Sequence, residues 1–137
     1  MVIAKSRVAP LKKLTLPRLE LMAALTGARL ANFVQQALKQ RYDSVTVTLW
    51  TDSEIVLHWL HSGKPLKPFI ANRVREIKES YPTTHWNHCP TKSNPADLLT
   101  RGISAQQFHT STLWQHGPEW LSQPSLWPSW NYRRITI

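Results

Sequence analysis

The apolar positions of the chain fall into helical and alternating stretches. From Arg18 to about Lys39, residues Leu19, Met22, Ala23, Leu30, Phe33, Val34, Ala37 and Leu38 recur at helical spacing and predict a helix with a broad apolar face. Pro17 fits its first turn, and Gly27 inside it reads as a close packing contact. The run Val45-Thr46-Val47-Thr48-Leu49-Trp50 is β-branched and alternating, which predicts a strand. It ends at Thr51-Asp52-Ser53, where Ser53 is placed to cap a helix through His61 that stops at Ser62-Gly63. After a linker from Lys64 to Pro68, Phe69, Ile70, Val74 and Ile77 line one side of a third helix that runs to Ser80. Val2 to Ala9 and Thr83 to Cys89 read as further strands, and Asn94 or Pro95 starts a short helix containing Asp97. Beyond Gly102 no period is evident. The order is strand, helix, strand, helix, helix, strand, short helix and irregular tail, an α/β pattern. This divides the chain into a domain over 1–102 and a Trp- and Pro-rich extension over 103–137.

Composition narrows the class. With 137 residues, 42% of them hydrophobic and 18% charged, the chain is globular in balance and sized for one domain. The longest uninterrupted apolar run, Leu21 to Leu25, is too short to span a bilayer. The one cysteine, Cys89, leaves no internal disulfide framework and points to an intracellular compartment, the cytoplasm or alternatively the nucleus. The net charge is +9 and uneven, since no acid precedes Glu20. Lys5, Arg7, Lys12, Lys13 and Arg18 crowd the start, and Lys64, Lys67, Arg73, Arg75 and Lys78 follow later. A field of this sign attracts phosphates, so nucleic acid is the first partner class to consider.

Among eight acids, three are placed suggestively. Asp52 stands past the carboxyl end of the predicted Val45–Trp50 strand, where functional groups of open α/β sheets gather. Glu20 lies in the first turns of a helix, and Asp97 follows a Pro-rich loop. Converging carboxylates need a hard cation to offset their repulsion, and Mg²⁺ prefers such oxygen ligands. Taken one at a time, each acid is better read as a helix N-terminal or capping residue.

Larger motifs decide between these readings. Leu16-Pro17-Arg18-Leu19-Glu20-Leu21, Trp50-Thr51-Asp52-Ser53 with Trp59, and Asn94-Pro95-Ala96-Asp97-Leu98-Leu99-Thr100-Arg101-Gly102 occur in that order. With Ala4-Lys5-Ser6-Arg7-Val8-Ala9-Pro10 and Leu113-Trp114-Gln115-His116-Gly117-Pro118-Glu119-Trp120-Leu121, they resemble the ribonuclease H domain of BEL/Pao-type retrotransposon Pol polyproteins. The resemblance runs from about Val2 to Trp130. It implies an RNase H-like mixed sheet flanked by helices, and two-metal hydrolysis of the RNA strand of an RNA–DNA hybrid. It places Glu20, Asp52 and Asp97 as catalytic, metal-holding residues, Glu20 and Asp52 on the leaving-group metal and Asp97 on the water-activating one. It also implies reverse transcriptase and integrase modules as partners within the parent polyprotein, and no membrane.

The family carries a further aspartate on its first strand that bridges both metals, whereas here the Val2–Ala9 strand corresponds to the family's third. The resemblance therefore implies an RNase H-like domain lacking its first two strands. It implies Mg²⁺ or Mn²⁺ bound weakly and an endonuclease poorly active or inactive as the chain stands. Val2–Ala9 either pairs anew with Val45–Trp50 or stays loose. The expected nucleic-acid contacts are Lys5, Arg7, Lys12, Lys13, Lys92 and Arg101, with Lys92 the nearest polar substitute for a histidine that many cellular ribonucleases H carry in that loop. The alternative is a non-catalytic basic nucleic-acid-binding module or an inert retroelement relic.

Other constellations are weaker. His85, His88 and Cys89, with His109 and His116, lack the paired spacing of structural zinc sites. His58 and His61 have no third ligand nearby in sequence, and Cys89 has no nucleophile context. The tail tryptophans are suited to stacking on bases or, more simply, to anchoring the extension on the domain.

Overall fold

The computed structural model describes residues 1–7, 9, 10 and 13–130. Helix α1 spans Leu16–Leu38, α2 Glu54–His61 and α3 Pro68–Ser80. Strand β1 (Leu49–Thr51) and strand β2 (Trp86–His88) form a two-stranded parallel sheet with Leu49 opposite Trp86 and Thr51 opposite His88. Short helices follow: α4 (Asp97–Arg101), α5 (Ala105–Thr110) and α6 (Thr112–His116), with 3-10 turns at 119–122 and 124–126. No helix among the described residues is long and apolar enough to cross a membrane.

The core lies where three helices meet beside the sheet. Leu21, Leu25 and Ala28 of α1, Val56, Leu57 and Leu60 of α2, and Ile70, Val74 and Ile77 of α3 are all buried, together with Tyr81 and Trp86. In each helix these positions recur at three- and four-residue steps, so each presents one continuous stripe. The α1–α3 contact is pinned outside the core by Arg29, which donates from Nε and Nη2 to the two oxygens of Glu76, both at 2.7 Å. Tyr81, at the end of α3, donates to Gln35 Oε1 at 2.8 Å and fixes the far end of the same pair.

Several expectations need correction. The buried stripe of α1 is Leu21, Ala24, Leu25 and Ala28, whereas Ala23 and Phe33 are exposed. This helix is apolar around much of its circumference, so periodicity left the inward face open. The expected strand over 2–9 is not formed: residues 2–7 and 9 have no regular structure, and Val8 lies outside the described residues. Val2 and Ile3 instead line one side of a groove of about 380 Å³ with Leu30, Val34 and Val47. Of the expected strand 45–50 only Leu49 and Trp50 join a ladder, which runs one residue further to Thr51, because β2 pairs only with Leu49–Thr51. Residues 45–48 are held by side chains. Gln35 Nε2 donates to the Val45 carbonyl at 3.4 Å, and the His85 ring contacts the Val47 carbonyl at 2.8 Å. The first half of the expected strand 83–89 is a 3-10 turn at Thr83–His85. The tail beyond Gly102 has short helices, α5 closed at its start by a capping box of Ser104 and Gln107. Gly102 and Gly117 terminate α4 and α6 with φ of 72° and 75°, a region closed to most other residues.

Gly27 is not a packing contact, since a Cβ built there meets nothing within 4 Å. Its role in the helix is therefore only a loss of propensity. Gly27→Ala is expected to raise the unfolding free energy by about 0.5–1 kcal/mol. Denaturant midpoints at constant slope would check this, and a lower midpoint would mean that the added methyl meets an obstacle.

Candidate functional site

Parallel pairing brings the carboxyl ends of β1 and β2 to the same edge. Asp52 leaves the end of β1, and the 89–97 loop leaves the end of β2. The backbone continues the ladder one step further, as Cys89 N donates to the Thr51 carbonyl at 2.8 Å. α2 begins immediately beyond Asp52, and the first turns of α1 pass alongside.

Ser53 joins these elements. It is buried at 6% exposure. Its hydroxyl accepts from Val56 N at 3.2 Å, capping α2 as its position in sequence predicts. The same hydroxyl donates to Glu20 Oε2 at 2.6 Å. That distance is in the range of a hydrogen bond to a charged oxygen. Ser53 N donates to Thr51 Oγ1 at 3.1 Å, which fixes the turn between strand and helix.

Asn94 makes the second link. Its Nδ2 donates to Asp52 Oδ2 at 3.0 Å, while its Oδ1 accepts from Ala96 N at 3.1 Å. The amide orientation follows from these two partners, because only one arrangement satisfies both. Asp97 N donates to the Asn94 carbonyl at 3.2 Å. Glu20, Asp52 and Asp97 are thus joined through Ser53 and Asn94. Asp97 stands in the first turn of α4, and its Oδ2 pairs with Arg101 Nε at 2.8 Å. The three carboxylates are not gathered into one cluster. No group of three His, Cys, Asp or Glu side chains among the described residues is arranged to hold a metal ion.

The tail reaches this edge. Trp50, one residue before the end of β1, packs against Trp120 at 4.9 Å and Trp127 at 5.1 Å between ring centroids. Trp120 Nε1 donates weakly to Ser93 Oγ at 3.5 Å, next to Asn94. Trp50 and Asp52 are two apart at the strand end, hence on one side of it. Tryptophans separated in sequence therefore wall the loop that carries Asn94.

The expected phosphate contacts are dispersed. Lys5, Arg7, Lys13 and Lys92 are exposed, Lys5, Arg7 and Lys13 on chain without regular structure and Lys92 in a 3-10 turn. Arg101 is exposed and engaged with Asp97. Lys12 lies outside the described residues. Sequence reasoning placed Ser53 as a cap but missed its bond to Glu20, and it missed the Asn94 link altogether. An Asn-Pro pair after a serine is a recognisable turn signal, but the partner it would reach, 42 positions back, is not written in it.

Cys89 is buried beside Asp52. Desolvation, then the nearby carboxylate charge, push its thiol up to about 11 from an ordinary 9.0. It is a neutral, inert group at physiological pH.

Residues 1–53 match the family model of the Pao retrotransposon-like RNaseH-like domain. That stretch, which ends at Ser53, includes two of the three candidate carboxylates, Glu20 and Asp52. No curated protein and no solved structure matches the chain.

A thiol raised from 9.0 to about 11 carries roughly a hundredfold less thiolate at pH 8. Alkylation of Cys89 in the folded chain should be slower than in denaturant by at least that factor, accelerating only as pH approaches 11. Equal rates in the two states at pH 8 would show the thiol to be accessible and unshifted.

Proposed function

We propose that the chain acts as an RNase H-like nucleic-acid-binding domain of a Pao-type retroelement polyprotein, holding an RNA–DNA hybrid across the carboxyl edge of its sheet and cleaving it slowly or not at all. The observation that carries this reading is the linked set Glu20–Ser53–Asp52–Asn94–Asp97 at that edge, within a chain of charge +9 whose first 53 residues match the RNaseH-like family.

The donor set is of the right chemistry for a hard divalent cation, consisting of carboxylate oxygens with one oxygen each of Glu20 and Asp52 already oriented by a neutral donor. Glu20 and Asp52 would hold Mg²⁺ or Mn²⁺ first, and Asp97 would join only on leaving Arg101. When bound, such an ion supplies a water of lowered pKa and neutralises charge at the phosphate. The protein's own contribution is orientation: Ser53 holds Glu20 toward the strand end, and Asn94 holds Asp52 toward the loop. Arg101 opposes the third ligand by competing for Asp97. That competition favours weak metal affinity and weak turnover, and with them the second reading, a module that binds without cutting.

A labelled RNA–DNA hybrid incubated with Mg²⁺ or Mn²⁺ separates the readings. Binding is expected in the range of about 10⁻⁴–10⁻⁶ M at physiological salt, as for contacts made chiefly to phosphates. Any RNA-strand cleavage should be abolished by Asp52→Asn while binding persists. Cleavage that survives Asp52→Asn would remove Asp52 from the site, and absence of binding would remove the nucleic-acid reading.

A further inference from the structure

The two long helices that pack together, α1 and α3, meet near their starts. There Phe69, the second residue of α3, carries a guanidinium from each helix. Arg73 Cζ lies 3.6 Å from the ring centroid and Arg18 Cζ 4.9 Å. Arg73 is also held by its own Nη1, which donates to the Phe69 carbonyl at 2.9 Å, and by Nε, 3.0 Å from the sulfur of Met22. Arg18 makes no hydrogen bond among the described residues beyond this ring contact.

Two cations on one ring repel each other, and no carboxylate among the described residues is paired with either. No acidic residue stands in the first turn of either helix. Glu76, one turn beyond Arg73, feels its charge, yet both Glu76 oxygens are taken by Arg29. Neither Arg18 nor Arg73 belongs to an ion pair among the described residues. A pair of like charges held in place by an aromatic ring, with open donors and no paired carboxylate, suits an anion. The planar fork of arginine matches phosphate oxygens in particular.

We propose that Arg18 and Arg73, spread on Phe69, form a phosphate-binding site for the backbone of a bound nucleic-acid strand. The proposal rests on the nucleic-acid reading above and locates its principal contact. Lys5, Arg7 and Lys13 are exposed on chain without regular structure, whereas Phe69 holds these two side chains in place, which lowers the entropy lost on binding. Arg18 and Glu20 are two residues apart on α1 and so point about 200° apart around its axis. A strand held at Arg18 and Arg73 therefore passes the start of α1 on the side away from Ser53, and engages the carboxylates by crossing that start.

The test measures binding of a fluorescein-labelled RNA–DNA hybrid by anisotropy across a series of KCl concentrations. The chains compared are the wild type, Arg18→Gln, Arg18→Gln with Arg73→Gln, and Lys39→Gln as a single-charge control at the other end of α1. Each lost phosphate contact should lower the slope of log K against log salt by about 0.9. The single variant is thus expected to fall by roughly one and the double by roughly two, with Lys39→Gln unchanged. Thermal midpoints identify any variant that fails to fold. Because Arg18 touches only the ring, the single variant decides the matter even if the double one unfolds. Wild-type slopes in folded Arg18→Gln, or an equal drop in Lys39→Gln, would overturn the site while leaving the nucleic-acid reading intact. A wild-type chain that does not bind the hybrid would overturn both.

Discussion

A single buried hydroxyl, that of Ser53, ties together the elements on which the candidate site depends. It caps α2 by accepting from Val56 N, and it donates to Glu20 of α1. A buried hydroxyl left without partners is costly, on the order of 1–3 kcal/mol, so both bonds are needed where it sits. The same residue follows Asp52 directly. The start of α2, the first turns of α1 and the end of β1 are therefore constrained at one point, and the carboxylates of Glu20 and Asp52 inherit their placement from it.

The sheet that supports this point is small. Three residue pairs, Leu49–Trp86 to Thr51–His88, hold β1 to β2, and one further amide from Cys89 extends the register. Two strands alone are marginal. Here the helices cover them, with Val56, Leu57 and Leu60 buried beneath and Trp86 closing the core. The tail adds a second wall through Trp120 and Trp127 on Trp50. Residues far downstream of the carboxylates are thus part of what shapes the loop carrying Asn94.

Helix α2 and its cap were legible because both signals are local: Ser53 precedes an apolar run, and Ser62-Gly63 ends it. The third helix was legible for the same reason. The strands were legible only in part, since a strand exists where it finds a partner, and the pairing of Leu49–Thr51 with Trp86–His88 is not written in either segment. The inward face of α1 was ambiguous because apolar residues surround it, and α3 and α2 choose the face around Leu21 and Leu25. The three carboxylates could be singled out from strand-end position and motif order. The donors that hold them could not, because Ser53–Glu20 and Asn94–Asp52 join residues 33 and 42 positions apart. Arg73 is a helical neighbour of Phe69, but Arg18 reaches the same ring from 51 positions away, a pairing that neither segment records by itself.

The most direct check on this account is a double-mutant cycle between Glu20→Gln and Ser53→Ala, read as unfolding free energies in denaturant. A hydrogen bond from a buried hydroxyl to a charged carboxylate predicts a coupling energy of about 1–3 kcal/mol. Additivity of the two substitutions within about 0.3 kcal/mol would mean that Ser53 caps α2 alone, and that Glu20 is not held at the strand edge.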